Sequence, residues 1–385
     1  MQFFGTATLA DLAGDLVVFR NLNIQDKRIP GLRDAWMEMD LPSRRIPRKH
    51  EEDYARAASW LATRARRLDL PQGKVQELLF LGDTALADGD AFRHLRRQGC
   101  WNGWAFVGSG ADENQAGEST WEQDQDNVIV AGRWQDLARW VHTILEQGAY
   151  CDERTVLVID MDKTAIGARG RNSHAIDEAR LVGLRTTMIE MLGDKFNQVI
   201  FEEAYHALNQ PLYHRFTADN QDYLAYVCLI ISAGVISLHG LLECIADAPA
   251  YGFMQFVRWA DTRLAAGAQP ELADMHFSFY KRLEADDPTP FKTFRRHEYL
   301  ATVARMGHLP DTVPVHDMLA REICLTREVM EVGAWLKKRG AVVLILSDKP
   351  DEASLPTPDQ ARDGYRPLHR VEAHVVGETI SAQLP

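Results

Sequence analysis

The segment Thr155–Asp160, TVLVID, limits the possible folds of this chain more than any other: it is apolar on both faces, ends in a carboxylate and continues as MDKT through Asp162 to Thr164. A strand with no polar face has no solvent side, so it belongs inside a parallel sheet covered by helices on both faces. Four further runs share the pattern, DLVVFRN (15–21), ELLFLGD (77–83), WAFVGSG (104–110) and AVVLILS (341–347), and each adjoins an amphipathic helical stretch. Strands alternating with helices make an α/β fold with a Rossmann-like parallel sheet. Ligands in such sheets bind at the carboxyl ends of the strands. Asp83, Asp160 and Ser347 stand at those ends.

Between Thr164 and Ala341 strand signals almost vanish. ARLVGLRTTMIEMLG places Leu181, Leu184, Met188 and Met191 at helical spacing. HDMLAREICLTREVMEVGAWLKKRG does the same with Leu319, Ile323 and Met330, in a helix stopped by Gly340. The expected organisation is a core in two parts, 1–164 and 335–385, around an all-helical insertion at 165–334. The segment 109–127, SGADENQAGESTWEQDQDN, is acidic and lacks Lys and Arg, the composition of an exposed, mobile linker. Leu224–Leu238 is the most apolar stretch. It is shorter than the roughly 20 residues that span a bilayer, so a buried helix is expected.

A formal charge of −12 over 385 residues argues against a nucleic-acid partner, which needs clustered Lys and Arg, while leaving room for a small phosphorylated ligand in a local positive pocket. The five cysteines are scattered and odd in number, which suggests neither a disulfide framework nor a zinc site. The start MQFFGTATLADLAGD lacks the basic and apolar regions of a secretory signal. A reducing cytoplasm with no membrane partner is the expectation.

Two carboxylates two residues apart at a strand end can divide the work of phosphoryl transfer. Asp160 can attack phosphorus, and Asp162 can protonate the leaving oxygen and then activate water. Mg²⁺ bridging Asp160 and a phosphate oxygen offsets the repulsion between them. A hydrophobic DxD also holds the metal of sugar-nucleotide transferases, so a metal-dependent glycosyltransferase is an alternative.

VLVIDMDKT resembles the first motif of the haloacid dehalogenase superfamily in its phosphatase form, DxDxT. The resemblance implies a Rossmann-like core, Mg²⁺ and an aspartyl-phosphate on Asp160. AVVLILSDKP is similar to the second motif and implies that Ser347 hydrogen-bonds the transferring phosphoryl group. The other two motifs have their counterparts upstream. ELLFLGDTALADGDAF is similar to the GDxxxxD form of the fourth, implying Asp83 and Asp88 in the magnesium site. RIPRKHEEDYARAASWL supplies Lys49 before a helix, where the third motif places a charge-neutralising lysine, with Arg48 beside it as an alternative. The implied metal set is Asp160, Asp162, Asp83 and Asp88. The order is that of a circular permutation, cut after the second motif, with the old ends joined through 109–127 and NVIVAGRWQDLARWVHTILEQG.

The resemblance also makes the insertion a C1-type cap that closes over the site. Thr164 and, in GARGRN, Arg169 and Arg171 are the expected substrate-binding residues, because a guanidinium grips phosphate bidentately. The flanking glycines would then act as hinges. The expected activity is hydrolysis of a small phosphorylated metabolite, with exposed cap faces available for a homodimer; a non-catalytic phosphate-binding scaffold is the alternative from another class. Glu203 and His206 form an isolated ExxH without the second copy that a di-iron bundle needs. His214, His239, Trp101 and Trp104 read as ordinary polar or packing residues.

Overall fold

The computed structural model describes residues 1–113, 115–248, 251–265 and 270–385; residue 114 of the acidic segment and residues 249–250 and 266–269 of the expected insertion lie outside the described residues. The chain divides into two compact units, Met1–Ala179 with Thr302–Pro385, and Arg180–Ala301.

The described strands all belong to the first unit. In chain order they are β1 (Gln2–Ala7), β2 (Val17–Val18), β3 (Glu77–Gly82), β4 (Asn102–Gly108), β5 (Trp121–Gln123), β6 (Val128–Ala131), β7 (Thr155–Asp160), β8 (Leu325–Thr326), β9 (Val342–Leu346) and β10 (Ala373–Gly377). Seven of them form one sheet in the order β2-β9-β7-β3-β4-β6-β5, parallel except for the edge pair β5 and β6. The five apolar runs expected from the sequence thus become five adjacent strands. β3, β7 and β9 are buried at every residue, which is why they lack a polar face. Leu78, Phe80, Val156, Val158 and Leu344 share a core with Tyr54, Leu61 and Phe92 of the helices Glu52–Asp69 and Ala87–Gly99. Phe106 of β4 packs on Trp134 and Trp140 instead. The helix Leu137–Glu146 runs beside β4, and the helix Arg327–Lys338 beside β9.

A smaller sheet, β1-β10-β8, joins the chain ends: β1 is antiparallel to β10, and β8 is parallel to it. The loop after β7 closes on itself through a bridge from Asp162 to Ile166 and is stitched to this sheet by a single bridge from Ile166 to Leu325. The helical unit is accordingly shorter than the expected 165–334. Residues 165–179 and 302–334 belong to the first unit, because β8 and the helix Arg327–Lys338 pack with its sheets. The expected continuous helix before Gly340 is broken into Val315–Arg321 and Arg327–Lys338 by β8. The acidic segment is no free linker. β5 pairs with β6, Asp124 accepts from the backbone of Asp126 and Val128, and the Glu113 side chain is only 4% exposed.

In the second unit the helix Gln221–Ser232 is buried continuously from Leu224 to Ser232, and the apolar run ends its helix there rather than at Leu238, with Gly234 in the left-handed region at φ 72°. Tyr226 stacks on Phe279 at 4.2 Å within an aromatic core. Arg295, also buried, pairs with Asp222 at 2.6 Å and Glu298 at 2.7 Å. Glu203 and His206 lie on the exposed side of the helix Gln198–Leu208. Among the described residues no helix is long and apolar enough to cross a membrane.

Candidate active site

β9, β7 and β3 are neighbours, so the side chains that follow them converge on one edge of the sheet. Asp160 closes β7 and Ser347 follows β9 directly. Asp83 follows β3, and Asp88 lies in the first turn of the helix Ala87–Gly99. Lys49 comes just before the helix Glu52–Asp69.

Lys49 holds the cluster together. Its ammonium donates to Asp88 Oδ1 at 2.6 Å and to Asp160 Oδ1 at 2.7 Å, across 39 and 111 residues of chain. All three side chains are buried, Lys49 being 7% exposed. Asp88 Oδ2 accepts from the backbone N–H of Asp83 and of Thr84, each at 2.9 Å. That fixes the turn between β3 and its helix. Gly82 makes the turn possible, since a Cβ there would stand 2.6 Å from Asp88 Cβ. Carboxylate oxygens of Asp83, Asp88 and Asp160 lie within 4.8 Å of one another.

The electrostatics follow from this crowding. Burial, reinforced by Asp88 and Asp83, holds the Asp160 carboxyl well above the usual carboxylate range even against Lys49. Burial and Asp88 likewise raise Asp83, while Arg169 opposes them. Burial would raise Asp88 too, but Lys49 and two backbone N–H groups win and lower it. Burial would lower Lys49, yet Asp160, Asp88 and Asp348 more than reverse this, so the ammonium stays charged.

Asp162 sits apart from the carboxylate group. Its Oδ2 accepts from Lys349 Nζ at 3.2 Å, and its Oδ1 is buried without a partner. Lys349 is absent from the sequence-based set. The signal was available: a lysine two residues past a fully buried strand end, in SDKP, has little water to reach. Ser347 Oγ accepts from the Lys349 backbone N–H at 3.1 Å, which leaves its own proton free to donate.

The expected substrate-binding residues separate. Arg169 reaches the cluster, donating to Asp83 Oδ2 at 2.5 Å. Arg171 does not. It is buried between Glu113 at 3.1 Å and Glu328 at 2.9 Å, a structural ion pair with no capacity left for a phosphate. Thr164 is fully buried; its carbonyl accepts from Thr326 Oγ1 at 2.5 Å, and its own hydroxyl has no partner. The glycines beside Arg169 and Arg171 serve close packing rather than a hinge. Gly170 has φ 75°, and a Cβ there would meet the Gly110 carbonyl oxygen at 2.1 Å. Trp104 donates to Gln147 at 2.6 Å, and Trp101 covers Gly99, both in packing roles.

Three carboxylates facing Lys49 and Arg169 leave negative charge in excess, and two of them, Asp160 and Asp83, keep acceptor sites open. Such hard oxygen donors suit Mg²⁺. With most of its acceptor sites committed, Asp88 orients Lys49. No known family model, curated protein or solved structure matches this chain.

Proposed function

We propose that the chain is a Mg²⁺-dependent phosphatase of the haloacid dehalogenase type, circularly permuted, which hydrolyses a small phosphomonoester through an aspartyl-phosphate on Asp160. The observation that carries this is the bridge from Lys49 to both Asp88 and Asp160 with Asp83 alongside, formed by four residues from three separate stretches of sequence. The strand order supports the permutation. β9, β7 and β3 are adjacent, so the segments resembling the second, first and fourth motifs meet at one edge whatever their order in the chain.

In this scheme a carboxylate oxygen of Asp160 attacks phosphorus, the bond to the leaving oxygen breaks, and Asp162 supplies the proton that releases the alcohol. Asp162 then takes a proton from water as its oxygen attacks the phosphorus, freeing phosphate and restoring Asp160. Lys349 holds Asp162 in reach of both steps. Lys49 offsets charge on Asp160 and the phosphoryl group, and the Ser347 hydroxyl donates to a phosphoryl oxygen. Mg²⁺ held by Asp160 and Asp83 would screen nucleophile from phosphate. The helical unit enters the chain soon after Asp162, where the resemblance puts a cap that restricts substrates to small molecules. A glycosyltransferase is less well supported: its two acids would share a metal, whereas Asp162 pairs with Lys349 outside the carboxylate group.

The test is hydrolysis of an aryl phosphate by the purified chain with Mg²⁺, with EDTA, and with Asp160→Asn. Turnover only by the wild type with metal is expected. Normal turnover in Asp160→Asn would falsify the mechanism. If the wild type is silent as well, failure to trap beryllofluoride with Mg²⁺ on Asp160 rejects the phosphatase in favour of a binding role.

A further inference from the structure

Two cations divide the carboxylate cluster between them. Lys49 takes Asp88 and Asp160, and Arg169 takes Asp83. Both Nε and Nη2 of Arg169 stand 2.5 Å from Asp83 Oδ2, so one carboxylate oxygen receives two N–H groups of the same guanidinium. Asp83 is the one acidic partner of Arg169 among the described residues. Nη2 also reaches Thr84 Oγ1, at 3.4 Å.

The two cations differ in how firmly they are held. Lys49 is buried and has two acids, whereas the Arg169 side chain is 39% exposed and has one. The backbone of Arg169, by contrast, is fixed. Its N–H donates to the Lys163 carbonyl at 2.9 Å, its carbonyl accepts from Trp134 Nε1 at 3.0 Å, and Gly170 packs against Gly110. Arg171 in the same loop is the opposite case, with a side chain 2% exposed between two acids. Arg169 is therefore a guanidinium on a rigid loop, able to turn about its own side-chain bonds without disturbing the fold.

We infer that Arg169 is an exchangeable counter-ion: its guanidinium neutralises Asp83 until Mg²⁺ binds, yields the carboxylate to the metal, and then grips an oxygen of the phosphoryl group. The inference rests on the Mg²⁺ site of the proposed phosphatase. Two cations on one carboxylate repel each other, so guanidinium and metal bind Asp83 at each other's expense. An anion held beside the metal gives the displaced guanidinium a new partner, and its planar fork of N–H donors suits phosphoryl oxygens. Metal and phosphate then favour each other's binding, and by linkage the gain is equal in both directions. Arg169 thereby orders the site, because phosphate without metal meets a guanidinium already engaged.

The experiment is calorimetric titration of the full chain with Mg²⁺, without and with saturating inorganic phosphate, for the wild type, Arg169→Gln and Asp83→Asn. Without phosphate Arg169→Gln should bind Mg²⁺ at least about fivefold more tightly than the wild type, the lower end of ordinary coupling between sites. With phosphate the gap should close to within about twofold, because the wild-type guanidinium has by then left Asp83. Equal or weaker Mg²⁺ binding by Arg169→Gln without phosphate overturns the inference, since the arginine then positions Asp83 instead of competing for it. A gap of the same size with phosphate overturns it too, since a cation fixed on Asp83 acts alike in both conditions. If Asp83→Asn weakens Mg²⁺ binding while Arg169→Gln matches the wild type, the inference falls alone; if neither the wild type nor Arg169→Gln binds Mg²⁺, the metal site of the proposed phosphatase falls with it. Arg169→Ala repeats the test should Arg169→Gln fail to fold.

Discussion

The two units bury charge in opposite ways. In the helical unit Arg295 faces Asp222 and Glu298, with the Phe291 backbone N–H also donating to Asp222, so its charges are mutually satisfied inside an aromatic core. At the sheet edge Asp83, Asp88 and Asp160 crowd together around a single ammonium, and Asp162 keeps an oxygen without a partner. The first arrangement gives specificity to a fold. The second holds like charges at close range, at some cost in stability, and such strain marks places built to receive a ligand or a cation.

Replacing single charges should separate these cases, the largest effect being on catalysis. Asp160→Asn should lower aryl phosphate turnover by at least about a thousandfold, as loss of a nucleophile does, while thermal unfolding shifts little because like-charge crowding is relieved. Arg295→Met should do the reverse. It leaves buried Asp222 without its guanidinium, while Glu298 keeps Arg180, and should destabilise the chain by about 3–5 kcal/mol in denaturant unfolding. Equal destabilisation by both variants would erase the distinction.

Metal sharpens the comparison next. Mg²⁺ at a hundredfold excess over its Kd should raise stability by about 2.7 kcal/mol, read as a higher melting temperature. Asp83→Asn should remove most of that rise. Gly82→Ala comes third: its Cβ drives into Asp88, so it should cost about 1–3 kcal/mol and lower kcat by displacing Lys49.

The smallest effect concerns the histidines of the helical unit. Burial lowers the pKa of His276 and of His297 below 6.5, with Asp261 and Glu190 opposing it respectively. The unfolded chain therefore takes up protons first. Their contribution is complete above about pH 6.5 and is lost as the pH falls below that value. Melting temperature should drop from pH 7 to pH 5, and part of the drop should vanish in the double variant His276→Gln, His297→Gln. An unchanged drop would assign it to other groups.

Much of the large sheet was legible because a strand buried on both faces must be apolar throughout, a property carried by consecutive residues such as Thr155–Asp160. The small sheet was not: β8 has two residues, too few for any period to show. The acidic composition of 109–127 suggested a free linker because composition does not reveal that Arg93 and Arg96 of a neighbouring helix meet Asp124 and Asp126. Asp83 and Asp160 were visible as the carboxylates that end apolar runs, whereas Lys49 and Asp88 were picked out only by the resemblance, with Arg48 as the alternative to Lys49.

The sequence by itself determined which segments become buried parallel strands and that their ends carry carboxylates, since both depend on side chains adjacent in the chain. Tertiary structure alone decided which charges are used and which are spare. Arg169 and Arg171 are two residues apart, yet one meets Asp83 and the other is enclosed by Glu113 and Glu328, 58 and 157 residues away in the chain. Ion pairing depends on distance through the folded interior, and no local pattern encodes that distance.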